Sequence, residues 1–248
     1  MKVKSHRAPR VILASVAQGR TILRGCWALF CAHKLLSLGV LLGAIAIGAL
    51  IFPCDPILLA KIHVLQGTQE RLASQFARFL GTWGDYPTYN VPLALLIWCY
   101  GAATKSSAWR RVAIICFLGA SLAGLFDDFF RLTLGRPRPD TIEHTHVADG
   151  FYGITYAFRG GYQSFPSGHA ASVFGAAVAL LVTDLPLGLL TTLFALGVVW
   201  ARMELYRHYP SDVVVGSIIG IYFGLLVGLG AKVRRSLPAP LDSGASSP

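Results

Sequence analysis

Residues 35–52 include no charged side chain at all. A run of that kind approaches the roughly 20 apolar residues that carry a helix across a bilayer, and it cannot be solvated on an ordinary protein surface. Five more apolar runs follow, at 88–103, 112–130, 169–183, 186–202 and 212–231. The second and fourth are short for a span. Composition agrees: 54% of the residues are hydrophobic, 14% are charged, and the mean hydropathy is +0.56. A soluble domain carries nearer 25% charge. The expectation is therefore an all-α integral-membrane bundle of six transmembrane helices.

Charge asymmetry orients that bundle. Residues 1–34 hold Lys2, Lys4, Arg7, Arg10, Arg20, Arg24 and Lys34 with no acid, so this basic leader is expected in the cytoplasm, without a fold of its own. The run after it reads as a retained helix rather than a cleaved signal, because no small-residue cleavage site follows. With six spans, Lys105, Arg110 and Arg111 and the 232–248 tail also fall inside, and the loops 53–87, 131–168 and 203–211 face outward. Residues 35–231 then form the membrane domain, and the Pro/Ser-rich tail lacks the apolar content to fold. The net charge of +10 belongs mostly to these cytoplasmic flanks and to anionic headgroups, so no nucleic-acid partner is expected. Cys26, Cys31, Cys54, Cys99 and Cys116 form no C-x-x-C pair and imply no disulfide framework. From Ile57 to Leu80 apolar and polar residues alternate at helical spacing, the pattern of an amphipathic helix on the outer membrane surface or packed against the bundle.

Arginine and histidine are costly near hydrocarbon, and here they collect at the outer ends of the expected spans. Arg131 and Arg138 follow the third, Ser167 and His169 open the fourth, Arg202 closes the fifth, and His208 and Asp212 open the sixth. Arginines without matching acids call for an anion, and the planar guanidinium fork suits phosphate oxygens. Asp127 and Asp128, one helical turn before Arg131, could instead neutralise that arginine. Ser167 has the place of a helix N-cap, and Gly168 would let an anion approach the free N–H groups there. Asp212 falls in the first turn of the sixth helix, where it could reach His208 or simply complement the helix dipole. In the third outer loop, Asp140, Glu143, His144, His146 and Asp149 could ligate a divalent ion, although their spacing matches no recognised ligand pattern.

These residues resemble the type-2 phosphatidic acid phosphatases, which share a core with the vanadium haloperoxidases. The family signature is K-x6-R-P, P-S-G-H and S-R-x5-H-x3-D. This chain reads Arg131-x6-Arg138-Pro139, Pro166-Ser167-Gly168-His169 and Ala201-Arg202-x5-His208-x3-Asp212, so order and spacing match across about residues 88–231. Arg131 stands where the family has Lys, and Ala201 where it has Ser.

The resemblance implies a metal-independent lipid phosphatase with no cofactor. His208 would be the nucleophile that forms a phosphohistidine, and Asp212 its orienter. His169 would protonate the leaving group and then activate water, while Arg131, Arg138, Ser167, Gly168 and Arg202 hold the phosphoryl oxygens. Its partners would be the bilayer and a membrane lipid presented at the periplasmic face of a bacterial inner membrane. Polyprenyl diphosphate, phosphatidate, phosphatidylglycerol phosphate and lipid A are all open as substrates, with a polyprenyl or glycerolipid favoured. Phosphotransfer to an alcohol, haloperoxidation, or a non-enzymatic anion channel or transporter are the alternatives.

Overall fold

The computed structural model describes residues 7–64 and 70–233. Among these, every regular element is helical. Helix α1 (Arg7–Ala32) precedes α2 (Lys34–Ile51), which passes through a 3-10 turn at Phe52–Cys54 into α3 (Asp55–Val64). Helix α4 (Glu70–Trp83) leads through a π-helical turn at Tyr86–Asn90 into α5 (Val91–Ala103), and α6 (Ser107–Leu134) follows. Two short helices, α7 (Pro139–Thr145) and α8 (Ile154–Ala157), lie in the connection to α9 (Gly168–Thr183). Then come α10 (Leu185–Glu204) and α11 (Pro210–Val233).

Four stretches are long and apolar enough to cross a membrane: Lys34–Ile62, Ser107–Thr145, Leu185–Glu204 and Pro210–Lys232. They contain the expected runs at 35–52, 112–130, 186–202 and 212–231. The two runs read as short are short. Helix α9 has 16 residues and α5 has 13, and at 1.5 Å per residue even 16 rise only about 24 Å against a hydrocarbon core of about 30 Å. Helix α9 has no need to match that thickness, because it packs against α6, α10 and α11 and every residue from Ala170 to Ala177 is buried. Its alanines and glycines let backbones touch: a Cβ on Gly175 would sit 2.4 Å from the carbonyl oxygen of Gly119 in α6. The outer helices carry exposed leucines such as Leu35, Leu50, Leu96, Leu190 and Leu193, the surface that hydrocarbon covers.

One expectation is corrected here. The leader is not structureless, since residues 7–32 form α1. Between its basic residues lie Val11, Ile12, Val16, Ile22 and Leu23, and Ile22 is fully buried against α6 and α11. Ser15 accepts a hydrogen bond from the Trp98 indole at 3.0 Å. A Cβ on Gly25 would lie 2.3 Å from Gly230 O, so α1 crosses the bundle near the C-terminal end of α11. The amphipathic stretch 57–80 is divided between α3 and α4, with residues 65–69 outside the described part, and α4 packs Ala77 and Leu80 against Ala201 of α10. Residues 1–6 of the leader and 234–248 of the tail also lie outside the described residues.

Candidate active site

Antiparallel succession places the C-terminal ends of α6 and α10 beside the N-terminal ends of α9 and α11. At the opposite end gather Arg111, Asp184 and Lys232, with Arg111 donating to the Ala231 carbonyl. The chain reaches the first end through Gly135, whose φ of +65° terminates α6 in the left-handed conformation. Pro137 and Pro139 then keep residues 136–138 extended. This segment is pinned to a second one: Arg138 N–H donates to Gly161 O at 2.8 Å and Ser164 N–H to Arg136 O at 3.0 Å. At the end of α10, the N–H groups of Arg207 and His208 both turn back to Arg202 O, at 3.0 and 3.3 Å. His208 is thereby placed beside Arg202.

Ser167 occupies the N-cap of α9 with its hydroxyl unused for capping, and that oxygen is buried without a partner. Its carbonyl is crowded by Gly216 of α11, where a Cβ would come within 2.5 Å. His169 follows in the first turn, its ring centroid 6.3 Å from that of His208. Asp85, at the start of the π-helical turn, lies 3.5 Å from His169 Nε2. Asp127 of α6 is wholly buried with both oxygens unpartnered, and a Cβ on Gly168 would lie 3.3 Å from its Oδ2 and 3.6 Å from Arg131 Cζ. A cavity of about 500 Å³ opens here, lined by Asp85, Ser121, Leu125, Arg131, Gly168 and His169 among others.

The structure thus brings all eight sequence-predicted residues to one end of the bundle. Arg131, Arg138 and Arg202 act electrostatically on both histidines. The Nε atoms of these three arginines are buried and have no hydrogen-bond acceptor. Of the two acids that could neutralise Arg131, Asp128 pairs with it and Asp127 does not. His208, between the ends of α10 and α11, is held well below the usual imidazole range by burial, with Arg202 and Arg138 adding to the effect.

Asp212 behaves differently from expectation. It is in the first turn of α11, but its Oδ2 is 3.7 Å from His208 Nδ1. That oxygen instead accepts from the Tyr209 N–H at 2.8 Å, the reach-back half of a capping box, and from the Ser164 hydroxyl at 2.5 Å. His208 Nδ1 lies 2.8 Å from the carbonyl oxygen of Ser164. A carbonyl only accepts, so Nδ1 carries the proton and Nε2 keeps its lone pair.

Sequence reasoning missed Arg136. Its guanidinium is fully buried and reaches Asp212, Asp55 and Asp149. The available signals were its place in Gly135-Arg136-Pro137-Arg138-Pro139 and the lone acid Asp55 directly after a charge-free run. Two of the acids weighed for a metal are engaged with cations: Asp149 with Arg136, and Asp140 with Arg207 at 3.0 Å. Among the described residues, no group of three or more His, Cys, Asp or Glu is placed to hold an ion. Ala201 packs beside Ala77 and Leu80, so the position where the family has Ser faces a neighbouring helix.

A helical membrane protein with histidines and arginines gathered at one end of its bundle falls in the class of integral-membrane phosphatases, enzymes that hydrolyse phosphoric esters. Residues 111–234 match the model of the PAP2 superfamily, and the chain belongs to that superfamily. It is 29% identical over 178 residues to a lipid A 1-phosphatase of Rhizobium etli, covering 66% of this chain and 74% of that protein. To a lipid A 4'-phosphatase of Bacteroides thetaiotaomicron it is 35% identical over 148 residues, 55% of this chain and 64% of that one. The fold is similar to the crystal structure of a transmembrane PAP2-type phosphatidylglycerolphosphate phosphatase from Bacillus subtilis, with a TM-score of 0.54 at 16% identity, over 82% of this chain and 98% of that chain.

Proposed function

We propose that this membrane lipid phosphatase hydrolyses a phosphate monoester on a lipid of the lipid A type through a phosphohistidine at His208. One observation carries the reading: three buried guanidinium Nε–H groups, on Arg131, Arg138 and Arg202, and the Ser167 hydroxyl have no protein partner beside two histidines. Unsatisfied buried donors around an imidazole suit a tetrahedral anion, whose oxygens would accept from them. The N–H groups at the start of α9 add to that cradle.

In the proposed reaction His208 Nε2 attacks phosphorus as the bond to the lipid oxygen breaks. Protonated His169 gives its proton to that leaving oxygen. The neutral His169 then takes a proton from water, the water oxygen attacks phosphorus, the P–N bond breaks, and His208 is released with inorganic phosphate. The lipid A type is favoured over the polyprenyl or glycerolipid expected from sequence, because both curated relatives above are named for lipid A.

Six spans, with α5 and α9 completing the four long ones, would put both termini in the cytoplasm. The site would then face the periplasm of a bacterial inner membrane. The gathering of Arg111 and Lys232 at the end opposite the site supports this orientation. The bilayer and the lipid are the expected partners, with no nucleic acid and no cofactor.

The test is phosphate release by detergent-solubilised protein from lipid A, phosphatidate, phosphatidylglycerol phosphate and undecaprenyl diphosphate. Release is expected to be fastest with lipid A and lost in His208→Ala. Full activity in that variant would overturn the nucleophile, and a faster rate on another lipid would overturn the substrate.

A further inference from the structure

The three arginines around the histidines have unpartnered Nε atoms, whereas Arg136, two residues before Arg138, has every donor occupied. Its Nε donates to Asp149 Oδ1 at 3.0 Å, and Nη2 to Asp149 Oδ2 at 2.7 Å and Asp55 Oδ2 at 2.9 Å. Nη1 donates to Asp212 Oδ1 at 2.6 Å and to Ser211 Oγ at 2.8 Å. Five N–H groups meet five acceptors, which leaves nothing for a substrate oxygen. The planar group also lies 4.3 Å from the Phe52 ring centroid and 4.1 Å from that of Tyr209.

What this guanidinium joins are the parts that place the nucleophile. Asp212 opens α11 and holds Ser164, whose carbonyl fixes the His208 tautomer. Asp55 opens α3 and grips α11 a second time through the Ser211 N–H at 2.8 Å and the Ser211 hydroxyl. Asp149 belongs to the connection between α7 and α8. One cation therefore ties α3, α11 and the 146–153 connection to the segment that carries Arg138.

On the reading that His208 is the nucleophile, we infer that Arg136 is a positioning residue for the reaction. It holds Asp212, and through Asp212 and Ser164 it holds the imidazole, without touching substrate. A lysine could not replace it, because a point charge with three donors cannot serve three carboxylates and a serine in one plane. The groups that face His208 are Arg131 from α6, Arg138 before α7, His169 from α9, Arg202 from α10 and Asp212 from α11. Removing the Arg136 charge makes the Asp212 side of this ring more negative, which favours the imidazolium. Removing the Asp149 charge does the reverse.

Three variants test this in detergent-solubilised protein, assayed for kcat, KM and the pH profile of kcat/KM. Arg136→Gln is expected to lower kcat about 10–100-fold, the range seen when residues that orient reacting groups are lost, with KM nearly unchanged and the acid limb moved to higher pH. Arg136→Lys is expected to lose kcat while its acid limb stays in place. Asp149→Asn, at a side chain that solvent reaches, is expected to fold even if the others do not and to move the limb to lower pH. Limb shifts of opposite sign distinguish positioning from a merely structural role, which would lower the active fraction and leave the limbs fixed. Wild-type kcat with unmoved limbs in the variants that fold would overturn the inference. A failure of the parent reading shows separately, as wild-type protein that releases phosphate yet forms no His208 adduct.

Discussion

The Nδ1–H of His208 is held by the carbonyl oxygen of Ser164 at 2.8 Å, across 44 residues of sequence. A backbone carbonyl thus sets the tautomer of His208, the proposed nucleophile, and the Asp212 carboxylate supports from behind by holding the Ser164 hydroxyl and the Tyr209 N–H.

This division of labour ranks two substitutions. On the proposed mechanism His208→Ala removes the attacking atom and is expected to lower kcat about 10³-fold or more, while Asp212→Asn leaves that atom present but loosened and is expected to cost about 10–100-fold. Steady-state phosphate release from the same lipid measures both. Equal losses would place Asp212 in direct partnership with the imidazole.

The lowered affinity of His208 for protons fixes two pH dependences. For activity, the proposed attack requires neutral His208, so the acid limb of kcat/KM that belongs to it is expected below the ordinary imidazole value of about 6.5. For stability, the folded pKa is depressed relative to the unfolded one. Between the two values the unfolded chain binds more protons, so this contribution is complete above about 6.5 and shrinks as pH falls toward the folded value. Thermal unfolding in detergent from pH 8 to 5 should show a falling midpoint that flattens in His208→Gln.

Each site arginine is expected to hold anion oxygens without protonating anything. Arg138→Ala and Arg202→Ala should weaken inhibition by orthovanadate about 10–100-fold each, as the loss of a charge-assisted hydrogen bond of about 1.5–3 kcal/mol implies. Arg131→Lys restores the residue of the family signature and keeps the charge, so inhibition should change little. Arg131→Ala should behave like the other two alanine variants.

Close approach of α11 to the Ser167 turn makes Gly216 a structural requirement of the site. A Cβ there would stand 2.5 Å from the Ser167 carbonyl oxygen, and backbone has to move to admit it. Gly216→Ala is expected to cost about 1–3 kcal/mol and to lower activity beyond the loss of folded protein, since the displaced turn carries Ser167 and His169. Thermal midpoint and specific activity of the same preparation separate the two effects.

Much of this was legible in the sequence, and the reason differs by residue. Helices α6, α10 and α11 and the residues Arg138, His169, Arg202 and His208 follow from apolar runs and short fixed spacings, which are local. Arg136 is hard to single out because what identifies it, beyond its place among prolines, is contact with Asp55, 81 residues away, and Asp212, 76 away. The same holds for Ser164, which acts partly through its carbonyl, a group every residue has. Helix α1 was missed because basic residues dominate a composition reading, while its packing rests on a few small or apolar positions such as Ile22 and Gly25.

Direct trapping of the phosphorylated enzyme bears hardest on the central claim. Lipid substrate labelled with ³²P, mixed with enzyme and quenched in alkali, is expected to leave label on wild-type protein that alkali preserves and acid removes, mapped to His208. His169→Ala should accumulate this adduct when the leaving group is good enough to depart unprotonated, because water activation is then impaired. Label on any other residue, or adduct formation that survives His208→Ala, would contradict the account.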